Sequence, residues 1–191
     1  MSARMMLAAI VVAGSAAAAI AQYPHTQGTP APAQPYAGQQ GRAVTSLSTE
    51  ELQGFLDGRG MGLAKAAELN GYPGPMHVLE LAADLQLGAE QRRQIEETFH
   101  RMKAKATDLG RKYVEAEKAV DAAFRSGSAD AATIAARVVE ANRLLGEVRL
   151  AHLAAHLEIT PLLTPEQRTR YAELRGYGLG QIDGHQHRKP H

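Results

Sequence analysis

Two runs of apolar residues in this chain step alternately by four and three. The first is Ile95, Phe99, Met102, Ala106, Leu109, Tyr113, Ala116, Val120 and Ala123; the second is Ile134, Val138, Ala141, Leu145, Val148, His152, Ala155, Ile159 and Leu162. A repeat averaging 3.5 residues marks a helix whose apolar edge is covered by another helix. Ser126-Gly127-Ser128 interrupts the pattern between the two runs, where the chain must reverse tightly. The predicted fold is all-α, built on a long antiparallel helical hairpin. The abundance of Ala, Leu, Glu and Arg in the second half, all good helix formers, agrees with this.

Shorter helices flank the hairpin. Ser48-Thr49-Glu50-Glu51 is a capping box that opens a helix to about Asp57. Gly58-Arg59-Gly60-Met61-Gly62 breaks it, and a second piece from Leu63 to Leu69 ends at Asn70-Gly71. Pro75 suits the first turn of a third helix, which should stop near Gly88. Thr164-Pro165-Glu166-Gln167 reads as N-cap, first-turn proline and capping-box glutamine of a last helix ending before Gly176. Leu87-Gly88-Ala89-Glu90-Gln91 parallels Leu163-Thr164-Pro165-Glu166-Gln167, a weak repeat in which each copy opens a helix.

The organisation follows from composition. Residues 1–21 read as a cleavable export signal: Arg4, an apolar run, then Ala19-Ile20-Ala21 as the small-x-small cleavage site. The run is shorter than the ~20 residues that span a bilayer, so no stable membrane anchor is expected. Residues 22–46, rich in Pro, Gln, Gly and Ala, read as a disordered tether. Residues 47–74 carry the short helices and a Gly/Pro loop, 75–177 the main helical domain, and 178–191 a disordered tail holding His185, His187 and His191. Removing the leader takes one Arg and no acid, leaving twenty basic and twenty acidic residues, a balance that argues against nucleic acid as a partner. There is no cysteine, so disulfides and thiolate metal sites are excluded. Export without disulfides points to the periplasm.

The chemistry-bearing feature is His152-Leu153-Ala154-Ala155-His156. Two imidazoles at i and i+4 share one helix face and can chelate a divalent transition metal such as zinc, nickel, cobalt or copper. The spacing matches the zinc-protease motif H-E-x-x-H, but Leu153 stands where that motif has its general base. With Gly127 as pivot, His152 faces residue 102 and His156 faces residue 98, which brings His100 near both. His77 is a fourth candidate if its helix folds over the hairpin end, with Glu80, Glu96 and Glu97 as nearby carboxylates. The alternative for a histidine on an apolar seam is a hydrogen-bonded core or interface residue. Met61, Met76 and Met102 can ligate a soft ion, but methionine at such positions ordinarily fills a core and is read so here. No Ser/His/Asp set, phosphate-cradling loop or paired acids appear, so no enzyme activity is expected.

The Leu-Thr-x-x-Gln run at Leu163 to Gln167, its partial copy at Leu87 to Gln91, the charged helical hairpin and the leader together resemble the Spy/CpxP superfamily of periplasmic stress proteins. The resemblance covers about residues 75–177 and departs at Gly88, where the pattern usually has Thr. It implies a small four-helix hook that pairs into homodimers. The superfamily includes ATP-independent chaperones that hold unfolded clients and CnrX-type heavy-metal sensors that act on a membrane-bound regulatory partner. The resemblance implies the sensor or resistance branch for this chain. His152 and His156 fall where sensor-like members place ligands on their third long helix, His77 near a His-bearing helix, and His100 near a carboxylate ligand position. A chaperone is the other expectation.

Overall fold

The computed structural model describes residues 34–177. The predicted signal, most of the tether and the His-containing tail lie outside them. Residues 34–37 form a turn closed by a bond from the Ala37 amide to the Gln34 carbonyl. From residue 38 onward the described chain is all helical: α1 Thr49–Leu56, α2 Lys65–Glu68, α3 Pro75–Glu80, α4 Ala89–Arg125, α5 Ala131–Ile159 and α6 Pro165–Leu174, with a 3-10 turn at Thr160–Leu162 between the last two. None of these helices is long and apolar enough to cross a membrane.

The hairpin forms as its seams require. Gly127, at φ +69°, supplies the left-handed residue of the reversal, and Asp130 caps α5 by accepting from the Ala132 and Thr133 amides. Across the hairpin, Arg137 donates to the Ala119 carbonyl at 2.7 Å and Thr98 to Glu158 at 2.9 Å, within two residues of the register that a Gly127 pivot sets. Ile95, Ala106, Leu109, Tyr113 and Ala123 of the first seam, and Ala141, Val148, His152, Ala155 and Ile159 of the second, are buried. The remaining seam residues are partly buried, except Val138, which is 41% exposed in the half of α5 nearer the Gly127 turn.

The seams alone miss a second buried face. Gly110 and Val114 of α4 lie under the N-terminal segment, where the Phe55 carbonyl crosses Gly110 and the Phe55 ring meets Tyr113 edge-on at 4.6 Å. Val44 is buried there, Thr45 donates from its amide to Asp121 at 2.7 Å, and Ser46 donates to Glu117 at 2.6 Å. The tether therefore ends before Val44 rather than at residue 46. Composition concealed this, because one valine and two hydroxyls make no periodic signal yet match an apolar slot beside two carboxylates. The third helix also corrects the prediction: α3 stops at Glu80, and residues 81–86 continue as turns up to Gln86 at φ +51°.

The two capping-box glutamines meet. Gln91 accepts from the Gly88 amide at 2.9 Å while its amide nitrogen reaches the Leu162 carbonyl at 2.7 Å and Gln167 Oε1 at 3.0 Å. Gln167 accepts from the Thr164 amide at 3.0 Å and donates to the Leu85 carbonyl at 3.1 Å. The internal repeat is thus a reciprocal clasp, in which each glutamine caps its own helix and ties down the loop before the other.

Three outcomes follow. Gly110→Ala places a Cβ 2.2 Å from the Phe55 carbonyl oxygen and is expected to cost about 1–3 kcal/mol by forcing α1 off α4. At Gly146, on α5, an added Cβ would meet nothing within 4 Å among the described residues, and Gly146→Ala is expected to gain about 0.5–1 kcal/mol. Gln91→Ala and Gln167→Ala should each cost about 1–3 kcal/mol, with the double variant losing less than the sum because both remove the same clasp. Urea denaturation of the purified variants measures all three.

Candidate functional site

The core falls into two apolar clusters. One gathers Val44, Leu47, Phe55, Leu109, Tyr113 and Val148 toward the middle of the hairpin; the other gathers Val78, Leu85, Ile95, Ile159, Leu163 and Tyr171 at its closed-off end. His152 and His156 lie on α5 between them, both buried, at 4% and 8% exposure. Their helical spacing puts both on the face that the α1–α3 segment covers.

His156 is held from three sides. Its Nδ1 lies 2.7 Å from the Tyr72 carbonyl oxygen. A carbonyl only accepts, so Nδ1 carries the proton and, in the neutral ring, Nε2 carries the lone pair. Glu68 Oε2 stands 3.8 Å from the same Nδ1. Gly74 packs against the far edge, where a Cβ would come within 2.9 Å of Cε1. Only glycine lets the loop approach this closely.

Glu68 is the hub behind that ring. It accepts from the Tyr171 hydroxyl and from the Gly74 amide, the latter at 3.2 Å, and lies 3.6 Å from Arg175 Nε. Helices α2, α5 and α6 and the loop before α3 therefore converge on one carboxylate. Burial, and then the Glu68 bond, pushes the Tyr171 hydroxyl above its ordinary pKa, so it stays a donor.

His152 has no such support. Its Nε2 is buried and has no hydrogen-bond partner among the described residues. Its ring faces Gly60, at which a Cβ would lie 3.6 Å from Nδ1. Burial, and then the neighbouring His156, lower its pKa and keep the imidazole neutral. A buried polar atom without a partner is uncommon and calls for an explanation.

Both rings border a cleft of about 990 Å³ that His77 also lines. His77 sits half-buried on α3 with its Nδ1 2.9 Å from Glu80. His100 does not join them. It is exposed on α4 beside Phe99, with ring centroids 5.5 Å apart. It lies one residue off the seam, and a step of about 100° along a helix turns it away from α5. Glu96 and Glu97 are likewise outside the site, paired on the surface with Arg92 and Arg93 at 2.8 and 2.7 Å. Among the described residues no three His, Asp or Glu side chains gather as a metal-holding group. Of the four candidate histidines, His77, His152 and His156 line one cleft and His100 lies outside it. Sequence reasoning missed Glu68, Gly60, Gly74 and the Tyr72 carbonyl. Asn70-Gly71 and Pro73-Gly74-Pro75 announce a loop, but nothing in them says which helix it lands on.

No curated protein and no solved structure matches the chain. Residues 75–175 match the family model described as LTXXQ motif family protein. That span runs from the first residue of α3 to the residue capping α6, and it contains both clasp glutamines and the imidazole pair. The chain belongs to the LTXXQ motif family, the Spy/CpxP-like group that its paired helix starts resemble.

Proposed function

We propose that the protein is an exported, periplasmic metal-binding member of its family, acting as a CnrX-type sensor or resistance factor, with His152 and His156 as the anchor for a transition ion. The observation that carries this is the state of the two rings. His156 has its tautomer fixed by a carbonyl, the usual support of a metal-ligating histidine, and His152 has a buried nitrogen with no partner among the described residues. The ion would supply a positive centre that draws both lone pairs and gives the buried nitrogen its missing partner.

Such a site has a route to a response. Residues 58–62 and 72–74 rest on the two rings through Gly60 and Gly74. A ligand that fixes the rings favours one arrangement of these loops, and a partner that reads the loops responds through linkage. That partner is proposed as a membrane-bound regulator or a second copy of the chain.

Titration of the purified protein with zinc, nickel, cobalt and copper, read by chelator competition and by thermal unfolding, tests this. Binding is expected to raise Tm, with about 2.7 kcal/mol of stabilisation at a hundredfold excess over Kd. His152→Leu should weaken binding about tenfold or more with helicity unchanged. His100→Ala, on the exposed face, should leave it unaltered. Equal binding by wild type and His152→Leu sinks the proposal.

One observation favours a second reading. Met61, Leu69 and Met76 stand 40%, 54% and 45% exposed around the cleft mouth, an apolar rim that suits an unfolded client. Suppression of client aggregation without metal, lost in Leu69→Ser and untouched by His152→Leu, would place the function in a chaperone.

A further inference from the structure

We infer that the ion this cleft takes is copper(I), held by imidazole and thioether together. The inference rests on the metal reading above and names the ion for that site. It comes from the distribution of methionine. The chain has six methionines; three fall within the first six residues, and the other three, Met61, Met76 and Met102, all line the cleft that holds His77, His152 and His156. Burial alone does not account for them: Met61 and Met76 are 40% and 45% exposed, although the Met61 sulfur also seats over Gly54. Three apolar side chains of one type, drawn from three separate elements to one partly open cleft, are placed there for their sulfur.

Met61 is held most deliberately. It is one of two non-glycine residues among those described with positive φ, at +44°, a conformation in which a side chain is strained and which marks functional sites. The neighbouring Gly60 faces the His152 ring, where an added Cβ would lie 3.6 Å from Nδ1, so the turn that strains Met61 adjoins the imidazole whose Nε2 has no partner among the described residues. Its sulfur lies over Gly54 of α1, where a Cβ would be 1.8 Å from Sδ. Met102, half-buried on α4, borders the same cleft near the residue the hairpin register sets against His152.

The donor chemistry then selects the ion. Without a thiolate, zinc, nickel and cobalt rely on nitrogen and oxygen donors, and no three His, Asp or Glu side chains come together among the described residues. Glu68, the acid nearest the rings, is engaged by Tyr171, Gly74 and Arg175. Asp57 faces Arg59 at 3.7 Å. Glu50 also lines the cleft, but it gathers with no two other His, Asp or Glu side chains among the described residues. With no cysteine in the chain, the soft donors the cleft offers are its thioethers. Neutral imidazole and thioether suit a soft, singly charged ion, and copper(I) is the one whose preferred ligands these are.

Anaerobic titration of the full protein with copper(I) against a chromophoric copper(I) chelator tests this, alongside zinc and nickel titrations of the same samples. Met61→Leu and Met102→Leu keep volume and apolar character, so helicity and Tm should hold. The expected result is a loss of copper(I) affinity of about tenfold or more for each change, with zinc and nickel affinities unmoved. X-ray absorption of the wild-type copper complex should show sulfur as well as nitrogen neighbours, a readout that needs no variant. Copper(I) binding indifferent to both leucine changes, or an absorption spectrum with nitrogen neighbours alone, overturns the inference; if zinc or nickel then binds in a His152-dependent way, the metal reading stands without it. Failure of every ion to bind overturns both.

Discussion

The packing of α4 against α5 is the interaction on which the other elements depend. The two helices span 37 and 29 residues, and the short helices make their long-range contacts chiefly onto them. A single seam would make a plain hairpin, buried along one line and exposed elsewhere. This hairpin is loaded twice. Val114 and Gly110 give α4 a second buried face, which accepts Phe55 and Val44, and α5 offers the imidazole face to the loops around α2. Short helices such as the four residues of α2 and six of α3 have too few internal bonds to persist alone. They are helical because the hairpin gives them a surface to bury against.

Placing polar side chains on that surface has a cost that explains what surrounds them. A buried imidazole without a partner forfeits its hydration, about 1–3 kcal/mol for a neutral polar group. His156 avoids this through the Tyr72 carbonyl and Glu68, and Thr98 through Glu158. Glu68 in turn is largely withdrawn from water where a tyrosine hydroxyl, a backbone amide and an arginine converge on it. The layer between the two apolar clusters is therefore a polar network in which, among the described residues, two buried nitrogens lack a hydrogen bond: Arg175 Nε, which still faces Glu68 at 3.6 Å, and His152 Nε2, which faces no acid. Networks of this kind fix one arrangement of the elements that share them. An open valence inside a fixed network is what a binding site needs, since the protein has already met the cost of ordering the donors.

What the sequence disclosed follows from which signals are local. The hairpin was legible because a 3.5-residue repeat is a property of one helix at a time, and Gly127 between two such repeats leaves one topology. Capping boxes at Ser48 and Thr164 marked helix starts for the same reason. The imidazole pair was legible because i and i+4 share a face whatever lies opposite. His100 misled because register was known to a residue or two, while helix rotation is sensitive to one. The docking of Val44, the role of Glu68 and the approach of Gly60 and Gly74 were not legible, since each joins positions that are distant in sequence with no periodic mark. Glu68 sits 103 residues from Tyr171. Met61, Met76 and Met102 show the same limit from the other side: they are scattered in sequence, and only the fold brings all three to one cleft.

The glycines say how the polar layer is closed. At two glycines the chain comes down at distances that a methyl group would block: a Cβ would lie 2.9 Å from His156 Cε1 at Gly74 and 2.6 Å from the Thr107 hydroxyl of α4 at Gly58. Backbone is thereby set against imidazole and against helix with no side chain between to absorb a displacement. Close-packed contacts of this sort transmit small shifts instead of damping them. A change at the rings must then move the loops, and the loops carry the apolar rim of Met61, Leu69 and Met76 at the cleft mouth. On the proposed reading, the ring site and the apolar rim are parts of one mechanical unit, so a metal-dependent response and a client-binding rim would not require different sites.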